Sequence, residues 1–175
     1  MSKKQLVILV IVFAAVAIIT RLIPHPWNFT PVGAFFIFSG FMLPRRALLF
    51  PLLAMLATDL VIGTYTWQIM AAVYGCYLLM ALVAYSLKGR YSSLTILTTS
   101  LAGSLAFFIV TNAAVWLWSG MYQADLSGLL MSYTAGIPFF RNTLLGDLTY
   151  NAAFFGTYEV VRILMAAPAK RLNQK

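Results

Sequence analysis

The sequence predicts an all-α integral membrane protein, built as a bundle of six transmembrane helices with both termini in the cytoplasm. The chain of 175 residues is 62% hydrophobic and only 9% charged, whereas soluble domains contain about 25% charged residues. Its apolar residues form long runs separated by short polar segments. Because six spans of roughly 20 residues use about two thirds of this length, we expect residues 1–175 to form a single transmembrane domain.

The predicted spans are residues 6–23, 32–43, 47–63, 68–87, 94–118 and 142–165. Pro24 ends the first span, since proline disfavours helical geometry in the residue before it. The second span is too short to cross the full bilayer unless neighbouring helices cover it. Residues 119–140 are semi-polar, so we expect an extra interfacial helix between spans 5 and 6.

The positions of the basic residues predict the orientation, because cytoplasmic loops carry an excess of Lys and Arg. Arg21 and Arg141 fall on the outer side of the six-span arrangement, and Arg162 lies close to the inner side. The remaining cations fall together on the inner side: Lys3, Lys4, Arg45, Arg46, Lys88, Arg90, Lys170, Arg171 and Lys175. This asymmetry predicts a multi-pass protein of the bacterial cytoplasmic (inner) membrane.

The net charge of +8 has a second interpretation, which is nucleic-acid binding. The basic residues occur as short pairs between apolar runs, however, and no polar domain carries a basic surface. We therefore expect the lipid bilayer as a partner and no nucleic acid.

Polar residues gather at the outer ends of the predicted spans. An aspartate in the middle of a transmembrane helix costs about 2.5–3.5 kcal/mol on insertion scales, so Asp59 and Asp147 should face the bundle interior and meet a partner. Arg21 and Arg141 are the nearest partners by depth. The candidate ligand-binding residues are Arg21, His25, Asn28, Asp59, Trp67, Tyr74, Cys76, Asn112, Trp116, Arg141, Asn142 and Asp147. The alternative is that these groups hold the helices together and bind nothing.

Two of these residues have sharper interpretations. His25 lies between Pro24 and Pro26, which stiffen the backbone that presents its imidazole; a loop histidine is also a common structural hydrogen-bonding residue. Cys76 is either a small core residue or a thiolate that ligates a metal carried by the ligand. No nucleophile–base pair, phosphate-binding glycine loop or metal-spaced Cys/His cluster occurs, so we expect no enzyme, no catalytic residues and no resident metal.

Several motifs resemble a family of small bacterial membrane proteins of uncharacterised function. The longest is the run from Arg21 to Ala34, RLIPHPWNFTPVGA, and the others are Asp59-Leu60, Pro138 to Thr143 and Gly146-Asp147. That family is in turn similar to the substrate-binding S components of energy-coupling factor (ECF) transporters. The resemblance implies a six-helix protein that binds vitamins or metal ions in a pocket near the outer face.

The resemblance also implies a partner and a ligand. Most S components work with an ECF energising module, an ATPase that binds small residues on the first helix. Here Ala14, Ala15 and Ala17 form no Ala-x-x-x-Ala pattern, which departs from that arrangement. Solitary cobalamin-uptake S components (the BtuM type) work apart from such a module and use a membrane cysteine as a cobalt ligand, so cobalamin is a candidate ligand and Cys76 its candidate cobalt ligand.

We therefore expect a membrane uptake protein of S-component type, which binds a vitamin-like or metal-containing small molecule in a pocket open to the outer face. Arg141 and His25 would meet its polar groups, and Trp116, Tyr74 and Trp67 would supply apolar walls. One alternative is a non-transporting membrane scaffold or assembly subunit. A second is a membrane enzyme that uses Cys76 or His25.

Overall fold

The computed structural model describes residues 2–172 and the surroundings of their side chains as far as residue 166. Within that range the secondary structure is helical with no strands, which confirms the all-α part of the predicted fold class. Single 3₁₀ turns precede the third and fifth α-helices. The helices are α1 (Lys3–Leu22), α2 (Val32–Met42), α3 (Leu49–Ile62), α4 (Trp67–Ser86), α5 (Ser93–Trp118) and α6 (Leu126–Leu172).

Among the described helices, α1, α4 and α5 are long and apolar enough to cross a membrane. The outward faces of the bundle are also apolar. Ile8, Leu53, Leu60, Leu79 and Leu94 are each more than half exposed. A soluble monomer rarely exposes so much contiguous apolar surface, so these faces are suited to a lipid environment.

Helix α2 forms the centre of the core. Its 11 residues are buried except for Met42, and it packs against all of the other helices, most extensively α4 and α6. The Phe36 ring stacks on Tyr77 of α4 at 5.2 Å between centroids. On another side, the Phe38 ring makes edge contact with Phe13 of α1 at 5.0 Å. Helix α2, about 16 Å long, therefore lies in the protein interior. Its neighbours cover it, as expected for a span too short to cross a bilayer alone.

One glycine permits the close packing of α2 on α4. Gly40 of α2 faces the backbone of α4, where a Cβ atom would overlap the carbonyl oxygen of Ala81 and lie 2.6 Å from Cβ of Ala84. Only a residue without a side chain fits this approach. At Gly75, on the same α4 helix, a Cβ atom would meet open space.

The carboxyl end of α2 is held by a lysine from a distant loop. Lys88, in the 3₁₀ turn Lys88–Arg90, donates a hydrogen bond from Nζ to the carbonyl oxygen of Leu43 at 3.0 Å. A cation at a helix C-terminus interacts favourably with the helix dipole. Burial lowers the pKa of Lys88.

The first five helices begin and end within three residues of the predicted spans. Helix α1 ends with Ile23 as its C-cap, directly before Pro24. Helix α3 ends with Gly63 as its C-cap. The φ of Gly63 is 120°, a conformation that glycine adopts readily and that strains other residues. Lys175, which the sequence places on the cytoplasmic side, lies outside the described residues, as do the side-chain surroundings of Lys170 and Arg171.

The prediction of a separate interfacial helix between spans 5 and 6 is wrong, because α6 is one continuous helix of 47 residues. Pro138 lies within it and removes one helical hydrogen bond without ending it. The first third of α6 packs along α5, where Ser132 Oγ donates to the carbonyl oxygen of Asn112 at 2.8 Å. The Phe140 ring also packs on Phe108 at 4.8 Å. These contacts stabilise residues 126–140 as the start of α6.

Candidate functional site

A cavity of about 400 Å³ lies where α1 and α3 end and α4 begins. It is at the opposite end of the bundle from the basic turns Arg45–Leu48 and Lys88–Arg90. Its polar wall consists of Arg21, His25, Asn28, Thr30, Tyr65 and Thr111, and its apolar wall includes Val32, Met55, Ile62, Ile69, Val73, Tyr77, Phe107 and Val115.

An ion pair borders this cavity and joins three helices. The guanidinium of Arg21, on the last turn of α1, donates to Oδ1 of Asp59 near the end of α3. The Tyr74 hydroxyl of α4 donates to Oδ2 of the same carboxylate at 2.7 Å. Asp59 is only 2% exposed and Arg21 17%. The prediction that Asp59 faces the bundle interior and meets a partner is therefore confirmed, and of the two candidate arginines the partner is Arg21.

Arg21 keeps hydrogen-bonding capacity toward the cavity. A guanidinium carries five N–H donors, and Asp59 is the one hydrogen-bond partner of Arg21 among residues 2–172. The loop residue Tyr65 also lines the cavity. Burial and the nearby negative charge of Asp59 raise the pKa of Tyr65 to about 12, so its hydroxyl stays protonated. Both side chains can therefore donate hydrogen bonds to a bound molecule.

His25 presents an acceptor to the same space. Its Nδ1 lies 2.8 Å from the carbonyl oxygen of Ile23, and a hydrogen bond to a carbonyl requires the proton on Nδ1. In the neutral imidazole, Nε2 is then an unprotonated acceptor. The cavity wall thus offers donors from Arg21 and Tyr65 and an acceptor from His25.

The loop that carries His25 is fixed to α6. Asn28 adopts a left-handed φ of 62°, which asparagine tolerates better than most residues. The side-chain amide of Asn142 donates to the carbonyl oxygen of Trp27 at 2.9 Å. Gly146 lies against the backbone of Thr30, where a Cβ atom would come within 3.3 Å. These contacts fix the loop in the wall of the cavity.

Asp147 lies outside the cavity, at the amino end of α2. Its Oδ2 accepts a hydrogen bond from Ser104 Oγ at 2.6 Å, and the carboxylate also accepts from the backbone N–H of Ala34. Gly33 leaves the space that the carboxylate occupies. The α2 N-cap, Pro31, has no side-chain hydrogen bond of its own, so Asp147 caps this helix from α6.

The profile of the family of unknown function DUF6580 matches residues 1–169. The chain belongs to this family. No curated protein and no solved structure matches the chain. The DUF6580 match covers both the loop that carries His25 and every helix that contributes to the cavity.

In this DUF6580 protein the predicted convergence of Asp59, Arg141 and Asp147 in one cavity does not occur. Arg141 is exposed and forms no ion pair within the described chain, because Asp147 is satisfied by α2 and α5. Of the candidate residues, Arg21, His25 and Asn28 line the cavity. Asp59 pairs with Arg21, and the Tyr74 hydroxyl donates to Asp59.

The other candidate residues lie elsewhere. Asn112 donates to the carbonyl oxygen of Phe108 within its own helix. Trp116 donates from Nε1 to the carbonyl oxygen of Gln123 at 2.8 Å, and Trp67 is 73% exposed. Cys76 is buried on α4 and does not line the cavity.

Sequence reasoning missed several residues that line the cavity. Tyr65 was detectable, since it is an aromatic residue in the polar turn between two spans and close to Asp59 in the chain. Thr30 and Thr111 gave no signal, because isolated threonines are common in both loops and membrane helices. The apolar wall gave none either, since its residues resemble every other apolar residue of the spans.

We expect Asp147→Ala to lower the free energy of unfolding by about 1–3 kcal/mol, the cost of leaving the Ala34 N–H buried without an acceptor. Asp147→Asn retains a side-chain carbonyl oxygen and should lose less. Denaturant unfolding of the two variants in detergent, followed by circular dichroism, measures the difference. Equal losses would show that the charge of Asp147, and not its hydrogen bonds, stabilises α2.

Proposed function

We propose that this DUF6580 protein is an uptake protein of the bacterial inner membrane, of the S-component type, which binds a vitamin-like small molecule from the outer face. The observation that supports this proposal best is the cavity bordered by Arg21. Its volume of about 400 Å³ falls in the range of small-molecule sites, about 300–1,000 Å³. Its lining combines apolar side chains with convergent polar groups, as such sites do.

The proposed topology has six spans with both termini in the cytoplasm. The basic turns Arg45–Leu48 and Lys88–Arg90 lie at one end of the bundle and the cavity at the other. Since Lys and Arg favour the cytoplasmic side, this arrangement supports a cavity that opens to the outside.

The cavity wall favours a particular ligand chemistry. Arg21 and Tyr65 select for a carbonyl or carboxylate acceptor, and Nε2 of His25 selects for a donor. Because Asp59 already offsets the charge of Arg21, the wall suits a neutral or singly charged molecule better than a phosphate. The apolar surfaces of Val73 and Phe107 would cover a ring system.

These features favour a molecule smaller than cobalamin. A corrin ring with its nucleotide arm is much larger than the drug-sized ligands for which cavities of this volume are typical. Cys76, the candidate cobalt ligand, also does not line the cavity. We therefore propose a one- or two-ring vitamin-like ligand.

The first helix supports uptake without an energising module docked on its alanines. Ala14 and Ala17 are 4% and 5% exposed and pack in the core, so α1 presents to its surroundings larger side chains such as Ile11 and Ile19. Of the three alanines only Ala15 is exposed, so a partner that approaches through paired small residues would not find such a pair here.

The test is a thermal-shift screen of the full-length protein in detergent with biotin, thiamin, riboflavin, nicotinate, a queuine-like base, cobalamin and divalent metal ions. A ligand at 100 times its dissociation constant should stabilise the protein by about 2.7 kcal/mol. Val73→Trp fills the cavity and should abolish the shift. Leu79→Trp, on the same helix with a 56% exposed side chain, is the matched control and should keep it.

His25→Ala should weaken binding of the active compound about tenfold, the effect of one lost hydrogen bond of ordinary strength. Isothermal titration in detergent measures the dissociation constant. No thermal shift across the panel, or a shift that survives Val73→Trp, would contradict the proposal, and a co-purifying partner would then favour a scaffold. Loss of a catalytic activity when Cys76 is alkylated would instead favour an enzyme.

A further inference from the structure

A second cavity, of about 480 Å³, lies between α5 and α6 in the half of the bundle that contains the basic turns. It is a groove with apolar walls, which include Leu97, Phe155 and Gly156. Leu97 is 43% exposed, and a Cβ atom on Gly156 would meet nothing within 4 Å. The groove therefore opens sideways, toward the lipid in the proposed topology.

The deep end of the groove holds a buried polar group without a partner. Asn151 lines the groove and is only 3% exposed. Its Nδ2 donates to Ser100 Oγ at 3.1 Å, whereas its Oδ1 has no hydrogen-bond partner among the described residues. A buried acceptor without a donor is costly and uncommon, so this oxygen indicates that a donor arrives from outside the chain.

The other end of the groove is polar and lies near the end of the helices. The Tyr91 hydroxyl donates to Oε1 of Glu159 at 2.9 Å, and Oε2 of Glu159 pairs with Arg162 at 2.6 Å. Asn151 precedes Glu159 by eight residues on α6, which is about 12 Å along a helix. An apolar passage of that length thus separates the polar rim from the free oxygen of Asn151.

The groove has the volume of a small-molecule site, about 300–1,000 Å³. A single flexible chain fits the space. The lateral opening gives such a chain access from the bilayer.

We propose that this groove binds a lipid-soluble amphiphile, an apolar chain with a hydroxyl that hydrogen-bonds to the side-chain amide of Asn151. The site is separate from the outer cavity, and its ligand enters through the membrane. The proposed function concerns a molecule that comes from outside the cell, whereas this site binds a molecule already dissolved in the lipid. The proposal uses the membrane placement of α5 and α6 and does not depend on what the outer cavity binds.

The experiment is photolabelling of the full-length protein in phosphatidylcholine vesicles. The probe is a medium-chain alcohol that carries a diazirine, compared with the matching diazirine alkane, and peptide mass spectrometry locates the label. We expect saturable labelling by the alcohol at residues 96–97 and 152–156. Unlabelled octanol should compete about tenfold better than octane, as one hydrogen bond predicts.

Two variants separate the proposal from general solubility in the groove. Asn151→Leu should remove the preference for the alcohol. Gly156→Leu should block the groove and abolish labelling, whereas Gly75→Leu, at an equally open glycine on α4, should not. Gly156→Leu should also leave unchanged any thermal shift by a ligand of the outer cavity, so the two proposals fail independently.

Equal labelling by alcohol and alkane, or labelling by the alcohol that does not saturate, would overturn the proposal. Labelling that survives Gly156→Leu would overturn it as well. In the first two cases a water molecule, and no amphiphile, satisfies Asn151.

Discussion

Gly40→Ala should lower the free energy of unfolding by about 3 kcal/mol, the upper end of the usual cost of overpacking a core. The added methyl group would overlap the backbone carbonyl of Ala81 and lie 2.6 Å from Cβ of Ala84. A backbone atom cannot rotate away as a side chain can, so α2 and α4 must separate. Because α2 is the centre of the core, this separation loosens contacts throughout the bundle.

The matched control is Gly75→Ala on α4. There the new methyl group meets open space, and alanine favours a helix over glycine by about 1 kcal/mol. Gly75→Ala should therefore leave the protein as stable as before or more stable. Thermal unfolding of both variants in the same detergent gives the comparison. A neutral or stabilising effect of Gly40→Ala would show that α2 and α4 lie farther apart than described here.

Asp59→Ala should lower the free energy of unfolding by about 3–5 kcal/mol, because it leaves the guanidinium of Arg21 buried without its counter-charge. Arg21 is 17% exposed, so water compensates only part of this loss. Tyr74 also loses the acceptor of its hydroxyl. The double variant Arg21→Met/Asp59→Leu, which removes both charges, should lose less than Asp59→Ala alone.

Arg162→Ala provides the comparison with an exposed ion pair. Arg162 is 55% exposed and pairs with Glu159 within one turn of α6, and such surface pairs contribute about 0–1 kcal/mol. Denaturant unfolding of all three variants measures the three values. If Asp59→Ala and Arg162→Ala cost the same, the Arg21–Asp59 pair is solvated and does not join α1 to α3.

The positions of the first five helices were predictable because their signals are local. Pro24 ends α1 and Gly63 ends α3, and each acts through its own backbone chemistry. The residue at which α6 begins was not predictable, because Pro138 is a helix breaker in isolation and indicated that no helix would run through it. Packing of Ser132 and Phe140 on α5 overrides that local preference.

That Asp59 meets a cation was predictable from depth, since Arg21 and Arg141 both fall at the outer ends of their spans, but depth did not choose between these two arginines. The partner of Asp147 was not predictable. Its acceptor role depends on the N-terminus of α2 and on Ser104, and backbone N–H groups leave no mark in a sequence. The absence of a side chain at Gly33 is a matching signal, but it has meaning only once the two residues are known to meet.

Helix α2 is held at one end by Asp147 and at the other by Lys88. The ribosome adds Asp147 more than a hundred residues after Ala34, so α2 is synthesised long before its amino-terminal cap exists. During biosynthesis α2 therefore lacks its amino-terminal cap until the last helix has been added. A chain that stalls before residue 147 would hold α2 only at the Lys88 end.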